Sequence, residues 1–107
     1  MNQSDLVTCV GNAITQLDSL LMSGDPAFNT PSWQQLFALR KHLDDQQRNL
    51  VQQTIQGDDD TFQNVAGTIK AATQDLTTAI DEQKTVDSII NIVAQISAAV
   101  DAVLKMA

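Results

Sequence analysis

The sequence predicts an all-α protein, an antiparallel four-helix bundle, and three observations carry that expectation. Apolar residues recur at three- and four-residue steps, the spacing that lines one side of an α-helix. Capping and stop signals divide these periodic stretches into segments of similar length. The chain of 107 residues, 43% of them hydrophobic and spread evenly, is long enough for one hydrophobic core and too short for two. Helices are expected at about residues 4–22, 31–56, 59–82 and 86–105, in a single domain covering 1–107.

In the first segment Leu6, Val10, Ile14, Leu17 and Leu21 form the apolar stripe. Ser4 is the expected N-cap, Asp5 suits the positive end of the helix dipole, and Gly24 before Asp25-Pro26 supplies a left-handed stop. Thr30-Pro31 repeats the start signal, because proline favours the first helical position and the residue before it avoids helical angles. The second helix then carries Trp33, Leu36, Phe37, Leu43, Leu50, Val51 and Ile55 toward a stop at Gly57, with Asp44 and Arg48 placed for an exposed pair one turn apart.

Asp58-Asp59-Asp60 is the expected start of the third helix, whose apolar positions are Phe62, Val65, Ile69, Leu76 and Ile80, with small Ala72 and Ala79 allowing a neighbour to approach closely. The segment from Asp81 to Val86 holds neither Gly nor Pro, and a seven-residue spacing of Phe62, Ile69, Leu76, Gln83, Ile90, Ser97 and Leu104 runs through it in phase. A turn near Lys84, with Thr85 capping a fourth helix, is the preferred reading. The alternative is two shorter helices packed on one long C-terminal helix of roughly 70 Å, whose coiled-coil seam would build a homo-oligomer.

The fourth segment is the most apolar, and Ile89, Ile92, Val93, Ile96, Val100 and Val103 cover an arc wider than one neighbour requires. Such a helix either lies centrally or offers one edge to a partner, so these six residues are candidate partner-binding positions. Trp33 and Phe37, one turn apart, join them as candidate anchors; the alternative is that they close one end of the core beside Phe28.

The sequence also argues against several kinds of chemistry. His42 is the only histidine, Cys9 the only cysteine and Glu82 the only glutamate. A nucleophile-and-base pair, a set of Glu-x-x-His metal ligands, and an EF-hand around Asp58 to Asp60 therefore lack their required partners. Gly11, Gly24, Gly57 and Gly67 are isolated, so no glycine-rich phosphate loop is present. No catalytic residue, cofactor or metal is expected.

A net charge of −7 repels phosphate backbones and anionic lipid, which argues against nucleic-acid and membrane partners and favours a neutral or basic protein. Between Ser88 and Val100 no charge occurs, yet that stretch is short for a membrane span and carries Asn91, Gln95 and Ser97. The lone cysteine and the absence of a basic start with an apolar run at Met1 to Asp5 suggest a reducing, cytoplasmic setting. The function these features favour is a non-enzymatic protein-binding module of the immunity, antitoxin, chaperone or adaptor type. A structural coiled coil and a membrane-active helical protein are the alternatives.

Overall fold

The computed structural model describes residues 2–24, 26–53 and 60–106. They form four α-helices: α1 (Gln3–Met22), α2 (Pro31–Gln52), α3 (Asp60–Asp81) and α4 (Val86–Leu104). The bundle measures 41 × 24 × 17 Å, which accommodates helices of about 30 Å side by side but not a single helix of about 70 Å. The C-terminal half is thus a hairpin, and the continuous seven-residue seam is broken at its middle.

Each start has a local cause. Asn2, not Ser4, caps α1: its side chain accepts the Asp5 N–H at 2.8 Å, and Asp5 accepts the Asn2 N–H at 3.2 Å. Starting one residue before Gln3 places Asp5 at the third helical position and closes this reciprocal pair, which a start at Ser4 would put beside apolar Val7. Thr30 caps α2 by accepting the Trp33 N–H at 3.3 Å, and Thr85 caps α4 through Ser88 at the same distance. The expected triplet cap of α3 falls partly outside the described residues, with Asp60 in its first turn.

The stops are more instructive. Gly24 has φ +88°, as a left-handed terminator requires. At the end of α3 the same geometry is taken by Gln83, with φ +55°. Its N–H donates to Ile80 O at 3.1 Å and the Lys84 N–H donates to Ala79 O at 2.9 Å, the paired bonds of a Schellman cap. Gln83→Gly should therefore raise stability by about 0.5–1 kcal/mol, since glycine adopts this conformation without a Cβ clash; chemical denaturation measures it, and a destabilised variant would contradict the assignment. Helix α2 ends at Gln52 with Gln53 as its C-cap, and the expected continuation through Ile55 to Gly57 lies outside the described residues. The Gln3 side-chain amide donates to Leu50 O and, at 2.5 Å, to Gln53 O, supplying a donor to carbonyls that the helix leaves unpaired.

The helices pack in the spatial order α1, α2, α4, α3, so that α1 neighbours α2 and α3, while α4 neighbours α3 and α2. Helices α1 and α2 are antiparallel: Gln47 donates to Val7 O at 3.1 Å near one end, and Trp33 Nε1 donates to Leu21 O at 2.9 Å at the other. Helices α1 and α3 run parallel, with Asp5 and Gln63 lining one end of the groove between them, Thr77 donating to Gln16 Oε1 at 3.0 Å, and Leu20 beside Ile80 at the far end. Successive helices alternate in direction as expected, but the link from α2 to α3 joins diagonal corners, making two of the four neighbouring pairs parallel.

One core unites the four helices, with Leu6, Leu17, Leu36, Leu43, Leu50, Phe62, Ile69, Leu76, Val93 and Ile96 fully buried. Val51, assigned to the apolar face of α2 by its spacing, is instead 64% exposed. A polar clamp crosses the core between α2 and α4, formed by Gln46, Ser97 and Asp101. Helix α4, at 19 residues, is long and apolar enough to cross a membrane by length and composition, because it extends past the charge-free stretch to include Asp87 and Asp101. In this fold its large apolar side chains are buried or half-buried against the core, while Ala94, Ala98 and Ala102 face outward.

Candidate functional site

Of the six candidate positions on α4, Ile89, Val93, Ile96, Val100 and Val103 are buried in the core and Ile92 is half-buried. The wide apolar arc has a physical reason: α4 is closed on both sides, against α3 and against α2. What it turns outward is Asp87, Ser88, Asn91, Ala94, Gln95, Ala98, Asp101 and Ala102, a surface with no large apolar side chain.

The two candidates on α2 are placed differently. Leu36, Leu43 and Leu50, seven residues apart, face the core. Trp33 and Phe37 fall on the flank of the helix, in the row that leads to Arg40. Their rings stack at 5.3 Å with an interplanar angle of 6°, and Phe28 meets Trp33 edge-on at 4.8 Å and 65°. Phe28 is 77% exposed and Phe37 46%, while Trp33 is half-buried. The three aromatics do not close the end of the core; they form a ladder on its outside.

Local structure holds this ladder in place. Asn29 takes a left-handed φ of +63°, which turns the chain between Phe28 and the Thr30 cap, and the Gln34 side-chain amide donates to Asn29 Oδ1 at 2.8 Å. The Trp33 indole N–H, bonded to Leu21 O, fastens the start of α2 to the last turn of α1. One turn beyond Phe37, Arg40 donates through Nε to Asp18 Oδ1 at 2.7 Å and through a terminal nitrogen to Oδ2 at 3.2 Å. This hydrogen bond, reinforced by the carboxylate charges of Asp18 and Asp44, raises the Arg40 pKa above its ordinary value despite partial desolvation. The central ring of the ladder and the helical turn beyond Phe37 are thereby tied to α1. Met22, the last residue of α1, is 87% exposed at the same end of the bundle.

Periodicity identified Trp33 and Phe37 but gave Phe28 and Met22 no exposed role. Their signal was available in a different form: each is a large apolar residue at or beyond a helix end, outside any periodic stripe. The exposed Asp44 and Arg48 pair forms as expected at 2.6 Å.

A separate, concave feature is the groove between α1 and α3, a run of open clefts of about 610, 430 and 530 Å³. Thr8, Asn12, Thr15 and Gln16 line one wall, and Gln63, Lys70, Gln74 and Thr77 the other. Half-buried Cys9 faces into it, whereas His42 is exposed on α2 and does not contribute to it. Among the described residues, no three of His, Cys, Asp and Glu gather as a group that could hold a metal ion.

Comparison of the chain with protein-family models, curated proteins and solved structures finds no match.

Proposed function

We propose that this protein is a non-enzymatic binding module that acts by docking another protein on the Phe28, Trp33 and Phe37 ladder. The observation that carries this reading is a contiguous set of three aromatic rings outside the core, Phe37 stacked on Trp33 and Phe28 edge-on to it, with Trp33 held by its bond to Leu21 O. Exposed aromatic anchors fixed in one conformation bury large area at small entropic cost, which is the character of interface hot spots. The apolar residues of α4 support the core in this reading and contribute no contact, which moves the docking surface from the last helix to the start of the second.

Changing Phe28→Ser together with Phe37→Ser removes exposed ring surface while leaving Trp33 and its bond to Leu21 in place. The double variant is expected to melt within a few degrees of the wild type and to lose the partner captured from native cell extract by the wild-type chain. Capture unchanged in a folded double variant would overturn the reading.

A further inference from the structure

We draw no further inference here: the strongest candidate, the open groove between α1 and α3 that Cys9 and Lys70 line, carries nothing because its walls are hydroxyl and amide side chains around a lone cysteine and nothing in the structure shows what occupies it.

Discussion

Ile96→Asp is expected to abolish the cooperative fold, whereas Ile92→Asp, four residues earlier on the same helix, should leave a folded and moderately weakened protein. Ile96 is fully buried between α4 and its neighbours, with no solvent access through which a carboxylate could stay hydrated. An unpaired buried charge costs several kcal/mol or forces the group to remain protonated. Total domain stability is only about 5–15 kcal/mol, so the change consumes much of what is available. Ile92 is half-buried, and its aspartate can reach water, for an expected loss of about 1–2 kcal/mol. Thermal unfolding followed by circular dichroism separates the two. An Ile96→Asp protein that melts like the wild type would mean that α4 does not occupy the core. These substitutions report on stability, so the partner surface is better tested at Phe28 and Phe37.

Gln46→Leu is the second large effect, expected to cost about 1–3 kcal/mol although it replaces a buried polar side chain with an apolar one. Gln46 is 2% exposed and makes three hydrogen bonds to α4. Its Nε2 donates to Ser97 O at 3.0 Å and to Asp101 Oδ1 at 2.8 Å, and its Oε1 accepts the Ser97 hydroxyl at 3.1 Å. Leucine matches the volume but takes away the acceptor for a hydroxyl that is itself buried. The penalty therefore comes from Ser97 as much as from Gln46, and adding Ser97→Ala should recover part of it. For a domain of this size each kcal/mol moves the melting temperature by roughly 4–8 °C. A single variant as stable as the wild type, or a double variant no better than the single, would remove the clamp from the account of how α2 registers on α4.

Particular residues explain how far the sequence could be read. The signals at Thr30-Pro31, Thr85 and Gly24 are local, because a cap is a bond between a side chain and a backbone group within one turn, and each appears where its residues suggest. The start of α1 moved from Ser4 to Asn2 because two competing caps lie two residues apart and only one closes a reciprocal bond with Asp5. The stop at Gln83 was harder to see. A residue other than glycine in the left-handed region leaves no compositional mark, and the backbone bonds from Gln83 and Lys84 to Ile80 O and Ala79 O that accompany it do not depend on side-chain identity. The seven-residue spacing through it was real, but each half of the seam turns toward the same core from an opposite direction.

By itself the sequence determined that this is a helical protein, where its helices lie to within a few residues, and most of the leucine, isoleucine and valine positions that avoid water, Val51 being an exception. Periodicity reports that a face is buried but not what buries it. Only the tertiary structure decided that α4 lies between α2 and α3, making its second apolar edge interior, and that α1 runs parallel to α3 beside an open polar groove. The same packing left Trp33 and Phe37 on the outer flank of α2. Leu36, Leu43 and Leu50 already fill the core side of that helix, and rings set one position away from this line have only the edge of α1 to lean on.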